Sequence, residues 1–345
     1  MHFFSNKARS LFIILIIFVI ASMTLAGFIS CRFRAVDRYE ETRDMMGTYI
    51  TVIVYADEVT ANEAIGAAFT RIGEIESIAS IYDENSEATK LNTEGFIESP
   101  SREFSELIDL SLYYYDISGG SFDITISPVL DLWREGLWTE TEGVQAKKIE
   151  ETLKLVGSDK IVIEDEKIYF KTAGMSIDLG GIAKGYAVDE ALKTLSGLGI
   201  ENALVNAGGD IGTIGAKPDG EDWLVELDDP FVDDEKDPGI EVPLPGFIFK
   251  EMAVATSGNY YRYYDPYKQV HHITDPLTGY PANKCISVTV IAPGCTVADV
   301  LATSVFVKGP VEGMELIEEI DGTEALIIDE QRNIYMSTGL SKYLK

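Results

Sequence analysis

Basic residues are scarce in this 345-residue chain. Lysine and arginine number 28 against 57 aspartates and glutamates, so the formal net charge is −29 and the pI is near 4.4. A nucleic-acid partner needs a basic face, and this composition excludes that class of partner. The electrostatic field of this negative net charge also repels anionic small molecules. An anionic ligand therefore needs a local positive group or a metal ion to hold it.

Cysteine and histidine are also rare, with three of each. No group of them has the spacing of zinc ligands, so we expect no zinc site. An extended-looking run of roughly 20 Å, at about 3.3 Å per residue, separates Cys285 from Cys295, which is too long for a disulfide between them. We therefore expect both to be ordinary buried or half-buried cysteines.

Long apolar runs are missing except near the N-terminus. Lys7 and Arg9 precede an apolar run over residues 11–21, and small residues and Cys31 follow, which is the order of a secretory signal. Residues 28–31 (Phe-Ile-Ser-Cys) resemble a lipobox, with phenylalanine where an aliphatic residue is usual. We expect residues 1–30 to be a lipoprotein-type signal peptide and lipidated Cys31 to attach the chain to a membrane; an uncleaved anchor is the alternative. The signal peptide and the uncleaved anchor both place the rest of the chain outside the cytoplasm, on the outer face of the cytoplasmic membrane or the periplasmic side.

Residues 176–215 contain the densest set of turn and helix signals. Gly180 and Gly181 follow the extended segment around Asp178 and permit a sharp turn, since glycine accepts positive φ. An amphipathic helix then ends near Gly197, and a second glycine pair separates two strands. A glycine-rich start of a helix presents free N–H groups, which suit a phosphate. A plain structural turn is the alternative, and no run matches the G-x-G-x-x-G pattern of a Rossmann site.

The rest of the chain alternates strands and helices irregularly. Strands are predicted at 49–55, 223–229, 286–292 and near 326 and 334, with a hairpin at 160–171. Helices are predicted after a Thr60–Glu63 capping box, from Pro100 to 115, and over 139–156 and 297–308. A polar loop is expected up to Asn92, and an acidic solvated loop at 230–245. This pattern favours an α+β fold: a tether over 31–45, then one compact domain over 46–345 with a mixed, largely antiparallel sheet and packed helices.

Two pairs of polar residues are candidates for chemistry. Asp299 and Thr303 are four residues apart on one helix face, and their oxygens are of the hard type that Mg²⁺ prefers. The structural alternative is that Asp299 caps the helix with Thr296 and that Thr303 bonds back to a carbonyl. His271 and His272 point to opposite faces of an extended segment, so we expect at most one of them to enter a site, as a general base or as a packed polar residue.

The order of several short motifs resembles the ApbE family, the FAD:protein FMN transferases. The resemblance spans residue 46 to the C-terminus and rests on Met46-Gly47-Thr48, Tyr82 with Leu91-Asn92, Gly120-Ser121-Phe122-Asp123, Asp178-Leu179-Gly180-Gly181-Ile182-Ala183-Lys184-Gly185-Tyr186-Ala187-Val188-Asp189, Asn206-Ala207-Gly208-Gly209-Asp210, Thr256-Ser257-Gly258, His272-Ile273-Thr274-Asp275-Pro276-Leu277-Thr278-Gly279 and Ala298-Asp299 with Thr303. Thr274 stands where an aliphatic residue is usual, and Ser121 where alanine is common.

The resemblance implies a role for each matching position. It implies a magnesium ion held by Gly181, Asp299 and Thr303, and a catalytic His272 with Asp275 as its candidate orienter. It implies contacts with FAD from eight further positions: Met46, Tyr82, Ser121, Phe122, Asp123, Asp178, Lys184 and Ile273. The implied reaction is Mg²⁺-dependent transfer of FMN from FAD to a threonine or serine hydroxyl of a target protein, with release of AMP.

Two other functions are compatible with the same sequence. An FAD pyrophosphatase would use water in place of the acceptor and release FMN and AMP. A flavin-binding lipoprotein would hold FAD without reaction. For the transferase, the resemblance implies an acceptor protein of a membrane or extracytoplasmic redox system.

Overall fold

The computed structural model describes residues 36–230, 244–260, 262–267 and 269–345. An eight-stranded sheet dominates them, in the order β1-β2-β6-β7-β10-β11-β12-β13, and each neighbouring pair in it is antiparallel. Its strands are β1 (Asp37–Met45), β2 (Thr48–Ala56), β6 (Ala203–Ala207), β7 (Asp210–Ile214), β10 (Ala253–Gly258), β11 (Cys285–Ala292), β12 (Glu324–Asp329) and β13 (Ile334–Met336). Two small sheets are formed by β3 (Phe96–Glu98), β5 (Lys167–Phe170) and β4 (Ile161–Glu164), and by β8 (Trp223–Glu226) and β9 (Gly246–Phe249).

Eight α-helices surround the sheets in the described residues. They are α1 (Glu58–Ala79), α2 (Glu87–Glu94), α3 (Arg102–Ile117), α4 (Ser127–Arg134), α5 (Glu142–Thr152), α6 (Ala183–Gly197), α7 (Cys295–Lys308) and α8 (Pro310–Glu318). The mixture of helices and antiparallel strands confirms the predicted α+β class.

The large sheet has different coverings on its two faces. Alternating residues of the central strands, such as Val52, Val205 and Val290, join α1, α6 and α7 in the main core. Residues of opposite phase, such as Val254 and Ile291, meet the phenylalanines of β9 in a second cluster. The period of two residues in a strand therefore divides the apolar side chains between a helical layer and a small β layer.

Three boundaries differ from the sequence expectations. Residues 37–45 are not a tether, because they pair with β2 along their whole length as the edge strand β1. The long helix begins earlier than the Thr60–Glu63 box, because the Asp57 carboxylate accepts the hydrogen bonds of Thr60 and caps α1. Within the expected polar loop, Ser86 caps a further helix, α2.

Two smaller differences from the sequence expectations lie near Pro100 and Asp178. Ser101 caps α3, so Pro100 lies just outside this helix and not in its first turn. The segment around Asp178 belongs to none of the strands in the described residues, whereas the predicted hairpin at 160–171 and the helix at 139–156 are present as β4–β5 and α5. Most of the acidic loop, residues 231–243, lies outside the described residues.

Helices α6 and α7 cross at very short distance. A Cβ on Gly185 would stand 2.5 Å from the carbonyl oxygen of Cys295 and 2.9 Å from the Cβ of Asp299. The Asp189 carboxylate of α6 accepts the backbone N–H groups of Cys295 and Thr296 at 2.7 and 2.9 Å, and so caps α7 from outside. The two helices are therefore fixed to each other at the first turn of α7.

Cys285 and Cys295 are both buried and form no disulfide, as expected. Burial raises the pKa of the Cys285 thiol to about 12, so it stays protonated at neutral pH. None of the helices in the described residues is both long and apolar enough to cross a bilayer. The apolar run at residues 11–21 lies outside that part of the chain.

The close crossing predicts that Gly185→Ala destabilises the protein, because the added methyl group meets backbone atoms that have no room to move. We expect a loss of about 1–3 kcal/mol in the free energy of unfolding, measured by urea denaturation. Gly197→Ala in the same helix is the matched control, since open space surrounds that position; it should be neutral or stabilise by about 0.5–1 kcal/mol. Equal behaviour of the two variants would contradict the crossing.

Candidate active site

Two adjacent tight turns mark one end of the large sheet. Met46 and Gly47 join β1 to β2, Gly208 and Gly209 join β6 to β7, and all four have positive φ. The turns lie side by side, because a Cβ on Gly208 would collide with the Thr48 hydroxyl. The antiparallel register of β10 on β7 brings the C-terminal end of β10 to the same edge. This edge collects most of the motifs that the sequence singled out.

Gly181 and Thr303 face each other at this edge. A Cβ on Gly181 would stand 3.6 Å from Thr303 Oγ1 and 3.1 Å from the Phe122 ring, so only glycine leaves the space between them open. The Thr303 hydroxyl lies 3.2 Å from the Ser257 hydroxyl. This position differs from the structural alternative, in which Thr303 bonds back to a carbonyl of its own helix.

Asp299 lies one turn earlier on α7 and is almost fully buried. One carboxylate oxygen accepts the Gly185 N–H at 3.1 Å. Since Asp189 caps α7, Asp299 is not used as the cap that the sequence allowed. The described residues contain no group of three or more His, Cys, Asp or Glu that could hold a metal, so a cation here would need the hydroxyl and a backbone carbonyl as well as this carboxylate.

Lys184 and Asp210 form an ion pair beside Asp299, in which Asp210 is buried and Lys184 is half-buried. Burial opposes the charged form of Lys184, but Asp210 and Asp299 outweigh it and raise the pKa of this ammonium above its ordinary value. Burial and the neighbouring Asp299 raise the pKa of Asp210 to about 7, against the lowering effect of Lys184. The site thus concentrates two carboxylates on one ammonium, an arrangement that favours a further cation.

His272 lies half-buried near this cluster. Its Nδ1 is 3.3 Å from the carbonyl oxygen of Arg262, and its backbone N–H donates to the same oxygen at 3.2 Å. A carbonyl only accepts, so Nδ1 carries the hydrogen and Nε2 keeps a free lone pair. Burial, helped by the Arg262 charge, lowers the pKa of His272 to about 4, which leaves the ring neutral at physiological pH.

Asp275 does not orient His272 in this structure. Its carboxylate accepts hydrogen bonds from the Leu277 N–H at 2.9 Å and the Thr278 hydroxyl at 3.1 Å, within its own turn. The Arg262 carbonyl takes the orienting role instead. Ile273, between them, is buried and pairs through its carbonyl with the Ala282 N–H.

Asp178 holds the turn that leads into α6. One carboxylate oxygen accepts the Gly180 N–H at 2.8 Å, and the other pairs with the Arg134 guanidinium at 3.0 Å. The Asn92 side chain makes two hydrogen bonds with the backbone of Ile177, the residue before Asp178. It accepts from the Ile177 N–H at 2.7 Å and donates to the Ile177 carbonyl at 2.9 Å. Tyr82 is 82% exposed in the loop after α1, where an aromatic ring is free to meet a ligand.

The remaining predicted contacts lie deeper in the protein. Ser121 and Phe122 are buried and are tied to Ser118 by hydrogen bonds of 3.2 and 3.1 Å. The Asp123 carboxylate accepts hydrogen bonds from both the backbone and the hydroxyl of Thr125 and of Ser158. Its direct contact with FAD stays a prediction, and the geometry gives it a role in holding this loop. The Met46 N–H donates to Glu76 at 2.7 Å.

Three functional positions escaped the sequence interpretation. Asp210 is the partner of Lys184, Asp189 is the cap of α7, and Arg134 is the partner of Asp178. Asp210 and Asp189 belong to motifs on which the family resemblance rests. Those motifs indicated that the two residues have a role, but they did not indicate which role. Nothing in the sequence around Arg134 indicated its contact with a residue 44 positions away.

Comparison with known proteins identifies the family of this chain. The model of the ApbE family matches residues 46–327. An FAD:protein FMN transferase of Treponema pallidum is 29% identical over 339 residues, which cover 92% of this chain and 91% of that protein. Another, from Haemophilus influenzae, is 30% identical over 262 residues, with 72% and 73% covered.

Solved structures show the same fold. The ApbE protein of Thermotoga maritima superposes with a TM-score of 0.79 at 31% identity, covering 90% of this chain and 100% of that one. The flavin transferase ApbE of Vibrio cholerae gives a TM-score of 0.76 at 25% identity, with the same coverage. The chain therefore belongs to the ApbE family, and it is a transferase.

His271 faces away from the site, as its alternation with His272 predicts. It is 3% exposed, its ring lies against Phe306, and its Nδ1 accepts the Ile273 N–H at 3.2 Å. Its Nε2 and the Thr274 hydroxyl are the buried side-chain atoms that find no hydrogen-bond partner among the described residues. Burial lowers the pKa of His271 to about 4.

This burial predicts a pH-dependent loss of stability. The unfolded histidine titrates near 6.5, so it binds a proton more readily than the folded one between pH 6.5 and 4, and stability falls as the pH falls through that range. His271→Leu should remove on the order of 2 kcal/mol from the difference in unfolding free energy between pH 7.5 and pH 5.0. Urea denaturation at both pH values measures it. An unchanged difference would mean that His271 is not buried in its neutral form.

Proposed function

We propose that this chain transfers FMN from FAD to a threonine or serine hydroxyl of a target protein, with AMP as the leaving group and with Mg²⁺ bound. The observation that carries the proposal is the convergence of Gly181, Lys184, Asp299 and Thr303 at one edge of the large sheet, with His272 near them. The names of the relatives in the ApbE family support the transfer of FMN from FAD to a protein.

The donor set fits a magnesium ion. Asp299 supplies a buried carboxylate with one internal hydrogen bond, Thr303 supplies a hydroxyl, and the missing Cβ of Gly181 leaves room beside that hydroxyl. The Gly181 carbonyl would be the third ligand from the protein, and oxygen atoms of the FAD diphosphate would be suitable for the remaining positions. When bound, the ion neutralises the charge of the diphosphate and acts as a Lewis acid, which this acidic chain otherwise lacks.

Lys184 supplies the fixed positive charge of the proposed diphosphate site. It lies in the first turn of α6, and its ion pair with Asp210 keeps its ammonium in place and protonated. The N-terminus of α6, which follows the glycine turn, adds the positive end of its helix dipole. Phosphoryl transfer depends chiefly on such alignment and charge neutralisation.

His272 takes the proton of the acceptor hydroxyl at Nε2. The hydroxyl oxygen forms a bond to the phosphorus of the FMN half, and the bond from that phosphorus to the AMP oxygen breaks. AMP leaves with the bonding electron pair. The neutral ring and the hydrogen on Nδ1 leave Nε2 as the basic atom.

We extend the proposal to the location of the reaction. The signal-like residues 1–30 and the lipobox-like segment ending at Cys31 support a membrane-attached enzyme outside the cytoplasm. Its acceptor would then be a protein of a membrane or extracytoplasmic redox system. If the lipid attachment is correct, mass spectrometry of the mature protein should show Cys31 as the modified first residue.

The cation site predicts that Asp299→Asn slows transfer by at least about 100-fold, because the amide keeps the shape and the Gly185 contact but loses the charge. Mass spectrometry of a co-expressed acceptor for added FMN measures it. Asp109→Asn, an exposed change on α3, is the matched control and should label normally. Labelling by Asp299→Asn at the wild-type rate, with or without a chelator, would contradict the site.

The proposed base predicts that His272→Ala separates binding from transfer. Transfer should fall by roughly 10²–10⁴, the usual contribution of a general base, while FAD still binds with near wild-type affinity. Fluorescence titration measures FAD binding, and acceptor labelling measures transfer. Loss of FAD binding together with transfer would assign His272 a structural role. Free FMN and AMP produced at the same rate with or without acceptor would favour the pyrophosphatase.

A further inference from the structure

Arg134 is joined to two carboxylates at the end of α4. Its guanidinium lies 2.9 Å from the Asp131 carboxylate, one turn earlier, and 3.0 Å from that of Asp178, which is distant in sequence. Asp131 is 53% exposed, whereas Asp178 is 17% exposed. The contact with Asp178 is therefore the less solvated of the two, and the one in which a charge-assisted hydrogen bond has more effect.

Asp178 transmits this contact to the glycine turn. Its second oxygen accepts the Gly180 N–H at 2.8 Å, one residue before the position proposed to bind magnesium. The backbone of Asp178 is fixed separately, since its N–H donates to the Ile124 carbonyl at 2.7 Å. Arg134 thus sets the side-chain orientation of Asp178, and this side chain in turn holds the Gly180 amide.

The guanidinium also lies near the ring of Tyr264. Its central carbon is 5.9 Å from the centre of the Tyr264 ring. Burial works to lower the pKa of Arg134, but Tyr264, Asp178 and the exposed Tyr82 outweigh it and raise that pKa. The charge is permanent, and the planar group pairs with the Asp178 carboxylate and lies 5.9 Å from the centre of one aromatic ring, a geometry that lysine does not reproduce.

We propose that Arg134 is a positioning residue for FAD, which acts through Asp178 on the Gly180–Gly181 turn. The inference rests on the proposed function, because FAD is the ligand whose diphosphate this turn would receive. Arg134 shapes the site before the reaction begins and takes no part in proton transfer. Its loss should therefore weaken FAD binding far more than it slows transfer from bound FAD.

The test compares three variants of the full chain with wild type. Arg134→Met removes the charge and the fork of donors; Arg134→Lys keeps the charge alone; Asp131→Asn removes the exposed partner and leaves the contact with Asp178. Three quantities are measured for each: the Kd of FAD by fluorescence titration, acceptor labelling at saturating FAD, and the thermal midpoint without ligand.

We expect Arg134→Met to raise the Kd of FAD about tenfold, as for the loss of a charge-assisted hydrogen bond, and to change saturated labelling by less than about twofold. Arg134→Lys should recover part of the affinity, and Asp131→Asn should bind FAD like wild type. If Arg134→Met does not fold, the intermediate Kd expected of Arg134→Lys carries the test.

Two results would overturn the inference. Wild-type affinity in Arg134→Met would show that Asp178 needs no partner, and wild-type affinity in Arg134→Lys would show that a simple positive charge replaces the guanidinium. Equal loss of affinity in Asp131→Asn, with a matching fall in thermal midpoint, would show that α4 acts only through its general stability. A wild-type protein that binds no FAD would instead overturn the proposed function itself, so the two failures are distinguishable.

Discussion

The close crossing of α6 and α7 is the constraint on which the site depends. Gly185 permits the contact, Asp189 fixes it by capping α7, and the Asp299 carboxylate meets the Gly185 amide at the crossing point. If α6 and α7 were farther apart, Asp299 and Thr303 would be separated from α6 by other side chains. The crossing therefore converts two separate helical motifs into one cluster of oxygen atoms.

The large sheet brings the remaining groups to that crossing. Its glycine turns place Asp210 beside Lys184, and the end of β10 places Ser257 beside Thr303. Two buried carboxylates beside one ammonium are costly unless more positive charge is present. A divalent cation that arrives with a diphosphate would meet this need, and it would explain how a chain with a net charge of −29 holds an anionic substrate.

Local signals predicted most of the helices and strands, and they placed the candidates Asp299 and Thr303 on one helix. The spacing of Asp299 and Thr303, the glycine turn and the helix after it depend on residues within two turns of each other, and the structure contains them. Asp57 and Thr60 are both good N-cap residues at the start of α1, and local pattern alone does not choose between them. The edge strand β1 was missed because its charged residues are exposed on both faces, so it lacks the alternation typical of a strand.

Contacts between distant residues were beyond prediction from one sequence. The caps and ion pairs made by Asp189, Asp210 and Arg134 depend on tertiary packing over 26 to 106 residues.

The central claim is that the crossing of α6 and α7 forms a cation site for the diphosphate of FAD, and a crystal grown with FAD and Mn²⁺ tests it most directly. Our account predicts an anomalous peak between Asp299, Thr303 and the Gly181 carbonyl, in contact with the diphosphate. Bound FAD with no peak there, or with the ion held by other residues, would contradict it.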